Sequence, residues 1–180
     1  GVRRIVDEQI TRAIAELRGE TQASRDKEVH EARKRCKRLR ALLRLIRDHV
    51  GREVYRRENV AIRDAARLVA PVRDAQVLVN TLDDVVARAG GGFDAAAVRS
   101  TRRALKASHS RLRQQLLYRG TAAPQAAAAL SEVLERSRVW PLGDMTFDDL
   151  RPGMERVYRR GRARMAEAYA EPSNERFHEW

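Results

Sequence analysis

The stretch Val29-His-Glu-Ala-Arg-Lys-Arg-Cys-Lys-Arg-Leu-Arg-Ala-Leu-Leu-Arg-Leu-Ile-Arg47 decides the fold class of this chain. At about 100° per residue, Ala32, Cys36, Leu39, Leu43, Ile46 and, just beyond, Val50 fall on one stripe of a helix. His30, Arg33, Lys34, Lys37, Ala41 and Arg44 fall opposite, with Arg38 and Arg40 beside them. The apolar stripe is the seam of a core. The cationic row repels itself, and Glu31, the one acid within it, points elsewhere. The segment therefore predicts a long amphipathic helix, from an N-cap at Ser24 or Asp26 to His49, with Gly51 as its stop.

Working outward, residues 3–18 place Val6, Ile10, Ala13, Ile14 and Leu17 at helical spacing, and Gly19 closes that run. A third helix spans about 53–70. Pro71 kinks or restarts it, and its continuation to about Arg88 turns Val72, Ala75, Leu78, Val79, Leu82 and Val86 inward. Gly90-Gly91-Gly92 breaks the chain. A fourth helix covers about 94–118 and ends at Gly120, and a shorter Ala-rich helix runs from Pro124 to about Arg138. Residues 139–150 lose periodicity and read as a connection. Helix resumes over about 151–170, Pro172 interrupts it, and a last helix begins near Ser173 or Asn174. Four long helices followed by further helical starts predict an all-α architecture of antiparallel bundles.

Composition supports this reading. The 180 residues are 43% hydrophobic but only 5% aromatic, and β-branched residues seldom alternate, which argues against a sheet. Lys plus Arg number 37, of which four are lysines (Lys27, Lys34, Lys37, Lys106), leaving 33 arginines. Against 25 acids the formal charge is +12, on 20.5 kDa and with a pI of about 11.0. Such a field favours a polyanionic partner. The single cysteine excludes a disulfide framework and a multi-cysteine zinc site. No apolar run approaches a membrane span, and the start lacks a signal-peptide core, so a cytoplasmic protein without membrane contact is expected.

The chain also repeats itself. His30-Glu31 and His178-Glu179 are offset by 148 residues (178 − 30). At the same offset Asp26 aligns with Asn174, and Val6, Ile10, Ala13 and Leu17 align with Met154, Tyr158, Gly161 and Met165. Residues 1–138 thus read as a first four-helix bundle, 139–149 as a connection, and 150–180 as the truncated start of a second, pseudo-symmetric bundle. By this logic the chain is a fragment, and Phe177 and Trp180 suit packing against the segment that would follow.

Four motifs now stand in order: H-E-x-R-K-x-x-K-R-L-R from His30, R-D within APVRDAQVL (70–78), Y-R-R-G-R (158–162) and F-H-E-W (177–180). Together they resemble the conserved-histidine α-helical domain, the CHAD family, over nearly the whole chain. The resemblance implies two four-helix bundles about a basic central channel, binding of inorganic polyphosphate, and association of some members with polyphosphate granules. It assigns polyphosphate contacts to His30, Arg33, Lys34, Lys37, Arg40 and Arg44, then to Arg73, with Asp74 holding a basic side chain, then to Tyr158 and Arg162, and to His178. The basic continuation of the last motif after Trp180 is absent, so the remaining half of the domain would come from a missing segment or a separate chain.

Phosphate suits these residues: guanidinium forks bind its oxygens bidentately, and a row at helical spacing advances about 5–6 Å per step along a polymer. A solvated helix face remains the simpler reading of any charge run. It is the reading given to Arg99-Arg103-Lys106 and Arg156-Arg159-Arg160. Cys36 reads as an inert core residue, and the histidines show no metal-ligand spacing and imply no cofactor. Polyphosphate binding without catalysis is the expected function. Nucleic-acid binding is the alternative, disfavoured by the lack of a helix-turn-helix, finger or RNP motif. A phosphate-processing enzyme is the second alternative, with only Asp83-Asp84 and Asp148-Asp149 as acidic pairs.

Overall fold

A computed structural model describes residues 1–179, and the described residues form α-helices and their connections with no strand. Four helices close a ring: α1 (Val2–Arg18), α2 (Arg25–Leu45), α4 (Arg52–Leu68) and α7 (Ala122–Ser137), each packed on the next and α7 returning to α1. A short α3 (Arg47–Val50) extends α2 past a break at Ile46. Cross-links show the up-down-up-down sense. Arg25 at the start of α2 donates to the Glu16 and Leu17 carbonyls at the end of α1 at 2.9 Å each. Arg40, late in α2, donates to Asn59, early in α4, at 2.9 Å. Arg3, opening α1, donates to the carbonyls of Ser137, the last residue of α7, and of Trp140 just beyond it.

The core is the one the periodicity implied for the first two helices. Val6, Ile10, Ala13, Ile14 and Leu17 meet Val29, Ala32, Cys36, Leu39, Leu43 and Ile46, all buried, and Ile62, Leu130, Val133 and Trp140 complete it. Burying side chains of this size contributes about 1.5–3 kcal/mol each. The fourth wall, however, is the short Ala-rich α7 and not the fourth long helix. Ala123, Ala126 and Ala127 bring its backbone close to α1, with Leu130 and Val133 filling the seam below. A charged cluster is built into this core: fully buried Glu58 on α4 accepts from Arg136 of α7 through both Nε (3.0 Å) and Nη2 (3.0 Å), and from neighbouring Arg57 Nε at 2.8 Å.

Two further helices, α5 (Ala70–Arg88) and α6 (Ala95–Arg113), form an arm standing outside the ring. Pro71 restarts the helix after a break at Val69, as its N-terminal placement allows. Only Val72, Ala75 and Val79 of α5 are buried; Leu78, expected inward, is 56% exposed because α6 covers a single face of the arm. The arm is tied to the ring where Asp26, in the first turn of α2, takes His109 (2.9 Å) and Arg113 (3.2 Å). Asp26 is therefore an inter-helix partner and not a cap; the N-cap position belongs to Ser24. A π-helical turn, Gln114–Tyr118, then leads into α7.

α8 (Phe147–Ala170) begins four residues earlier than the pattern suggested, through a capping box in which the Thr146 backbone donates to Asp149 at 2.7 Å. It touches the ring against α2 and α3, and carries α9 (Asn174–Glu179) at its far end. Val6 and Ile10 of α1 are buried, whereas their repeat equivalents on α8, Met154 and Tyr158, are exposed. The part assigned to Trp180 lies outside the described residues.

Candidate anion-binding groove

α2 is clasped by α1, α4, α5 and α8, so its apolar stripe is buried while its cationic row borders a groove. Arg33, Lys37 and Arg40 of α2 face Arg63 and Arg67 of α4 across a cleft of about 250 Å³ floored by Cys36, Ala66 and Ala70. Two helices thus contribute five cations to one trough. Small Ala66 on α4 and Ala70 at the start of α5 are what leave space between the arginine stems. Cys36 underlies the cleft but is closed off from solvent, and burial pushes its thiol up to about 12.

The electrostatics are those of crowded like charge. Arg40 sits below the ordinary arginine range, first through burial and then through the guanidiniums of Arg44, Arg63 and Arg67. His30 lies below the usual histidine value through burial and then the positive charges of Arg73, Lys34 and Lys37, partly opposed by Glu31. An anion in the groove would relieve both. Acids nearby are few and exposed. Asp74 of α5 stands 3.6 Å from Arg33 and is 67% exposed at its side chain. Asp64 neutralises part of the α4 edge, 2.8 Å from Arg63 and 3.6 Å from Arg67.

Glu31 does not point away from the row. It accepts from Lys34 at 2.9 Å and lies 4.0 Å from His30, because i,i+3 neighbours on a helix meet side by side. Lys34 is accordingly a paired lysine, and its contacts hold Glu31 below the usual carboxylate range.

Of the ten residues singled out in the sequence, the structure gathers Arg33, Lys37 and Arg40 in the groove, with Arg44 one turn further on. His30 and Arg73 are within electrostatic reach of each other at the opposite end, beside Lys34. Tyr158, Arg162 and His178 do not line this groove. α8 meets α2 through Gly153 and Arg156, and Tyr158 and Arg162 lie about 140° and 180° around that helix from Gly153. Tyr158 is 66% exposed, and Arg162 and His178 are exposed as well.

Sequence reasoning missed Arg63 and Arg67. Their i,i+4 spacing on α4 was the available signal, and only the packing of α4 against α2 gives it meaning. It also assigned Arg156 and Arg160 to a solvated face. Both instead line a second, smaller cleft with Arg44, Arg47, Tyr55 and Val157. Arg156 is fixed there by Asp48 and by the Arg44 carbonyl, to which it donates at 2.8 Å. Arg99, Arg103 and Lys106 do lie on an exposed face of α6.

An all-helical bundle in which a long amphipathic helix, α2, turns a row of cations toward a groove defines a class of basic helical domains. The CHAD domain family model matches residues 4–180, and the chain belongs to that family. No curated protein and no solved structure matches it. No described helix is long and apolar enough to cross a membrane.

Proposed function

We propose that this protein binds inorganic polyphosphate in the groove between α2 and α4, without chemistry of its own. The observation that carries the reading is the convergence of Arg33, Lys37, Arg40, Arg63 and Arg67 on one trough, with Asp64 and Asp74 as its nearby acids. A flexible polyanion with one charge per repeat fits such a trough better than a stiff duplex does. Its repeat is short enough to meet both walls, and polyphosphate has no bases needing aromatic stacking. Family membership supports the same reading. Against a catalytic role, Asp83 is taken by Arg102 at 2.7 Å, Asp148 by Arg151, and Asp149 by the α8 capping box. The cellular setting that goes with this reading is the cytoplasm, at polyphosphate granules.

The test is direct titration of long-chain polyphosphate and duplex DNA, side by side, at about 150 mM salt, where screening is already substantial. Preference for polyphosphate, lost in Arg33→Ala/Lys37→Ala, is the expected result, with no phosphate released. Equal or stronger binding of DNA, unaffected by that double substitution, would overturn it.

A further inference from the structure

The cationic row on α2 has two different ends. At the His30 end it opens between α5 and solvent. At the other end, one turn beyond Arg40, it runs into α8. There the two backbones touch: a Cβ added at Gly153 would overlap the Leu45 carbonyl oxygen. Beside this crossing lies the small cleft walled by Arg44 and Arg47, by Tyr55 of α4, and by Arg156, Val157 and Arg160 of α8. Its volume is about 60 Å³ against about 250 Å³ for the groove. About 10–15 Å³ of such space holds one water, so the cleft has room for the few oxygens of one phosphoryl group, not for a run of them. Arg40 lines the groove and Arg44, one helical turn on, lines the cleft, so the cationic row of α2 passes from one to the other.

Charge in the cleft is concentrated and partly fixed in place. Arg47 stands 5.7 Å from the Tyr55 ring centroid and 3.9 Å from Asp48. Arg156 is held by Asp48 and the Arg44 carbonyl. Arg44 and Arg160 have no carboxylate partner among the described residues. Four guanidiniums thus share one carboxylate at a closed end. An interior phosphoryl group of a linear polyphosphate offers two non-bridging oxygens and one charge. The terminal group offers three oxygens and, with a second ionisation near pH 6, close to two charges at neutral pH. Guanidinium forks reward that difference.

We infer that the cleft at the α2–α8 crossing takes the free end of a linear polyphosphate, so that the chain lies on α2 anchored at one terminus by Arg44, Arg156 and Arg160. This rests on the polyphosphate reading of the groove and adds to it a direction and a requirement for an end.

The experiment compares linear tripolyphosphate with cyclic trimetaphosphate, which has three phosphoryl groups and no end, by calorimetry at pH 7.5. Wild type, Arg160→Ala, Arg44→Gln and Arg67→Ala are each titrated, with long-chain polyphosphate as a third ligand. Arg67→Ala removes the same charge as Arg160→Ala, but from the groove, and so controls for the higher charge of the linear compound. The expected result is a preference for linear over cyclic of about tenfold, the scale of one lost charge-assisted contact. It should fall to within about twofold in Arg160→Ala and Arg44→Gln and persist in Arg67→Ala. A preference that is absent in wild type, or that survives both cleft substitutions, overturns the inference, while retained long-chain binding keeps the groove reading intact. Failure of wild type to bind long-chain polyphosphate sinks both.

Discussion

The salt dependence of binding can be worked from the groove itself. Five cations, Arg33, Lys37, Arg40, Arg63 and Arg67, line it. If each displaces one condensed counterion, a single-stranded polyanion gives a slope of log affinity against log salt of about −0.7 per contact, or about −3.5 in all. Between 50 and 200 mM salt the affinity should then fall roughly a hundredfold. Arg63→Ala/Arg67→Ala leaves the three α2 cations, and the slope should shrink by about 1.4, to about −2.1. Both side chains reach the surface and pair only with exposed Asp64, so the helix and core should survive their loss. Fluorescence anisotropy of end-labelled long-chain polyphosphate, from 50 to 400 mM salt, reads the slope directly. Arg99→Ala/Arg103→Ala, on the outer face of α6, is the charge-matched comparison. If it flattens the slope as much as the α4 pair does, or if the α4 pair changes nothing, net charge and not the groove governs binding.

Three further outcomes are expected. His30 is held below its ordinary value in the free protein by burial and neighbouring cations, and an anion beside it would raise it, so binding takes up a proton. Affinity for long-chain polyphosphate should therefore rise as pH falls from 7.5 toward 5.5, and His30→Gln should flatten that rise; a slope unchanged in His30→Gln removes the histidine from the site. Arg136→Ala would leave the buried Glu58 carboxylate to Arg57 alone, whose Nε donates to it at 2.8 Å, and should lower unfolding stability by about 1–3 kcal/mol in a urea titration; a loss under about 1 kcal/mol would mean that Arg57 suffices to hold the carboxylate. Cys36, pushed up to about 12 and buried, should resist a thiol reagent at pH 8 until denaturant is added; fast labelling of native protein would show the groove floor opening.

What the sequence could disclose follows from how local each determinant is. The stripes Val6–Leu17 and Ala32–Ile46 each belong to one helix, and their period alone placed them in the core. The cationic row of α2 is equally local. Arg63 and Arg67 carry no special mark until α4 is laid against α2, and Arg156 and Arg160 none until Gly153 brings α8 onto Leu45. The choice of α7 over α6 as the fourth wall depended on alanine spacing, which marks close approach but not the partner approached. The early start of α8 was legible in Thr146-x-x-Asp149, a short capping pattern inside a stretch dominated by loop residues. Tyr158, Arg162 and His178 came from the family resemblance, and none of the three lines the groove or the cleft beside it.

The crossing at Gly153 also makes α8 a cantilever. The helix is clamped to α2 and α3, with Gly153 near one end set against Leu45, and α9 packs on it as well. From Gly153 to Ala170 it reaches about 25 Å. A tilt of about 10° at the clamp would swing the tip by about 4 Å, given that length. The small cleft sits at the fulcrum, where Arg156 and Arg160 face Arg44 and Arg47. Drawing those arginines together around an anion would act close to this pivot, and the displacement would be largest toward Tyr169 and Phe177, whose rings meet edge to face at 5.6 Å near the far end.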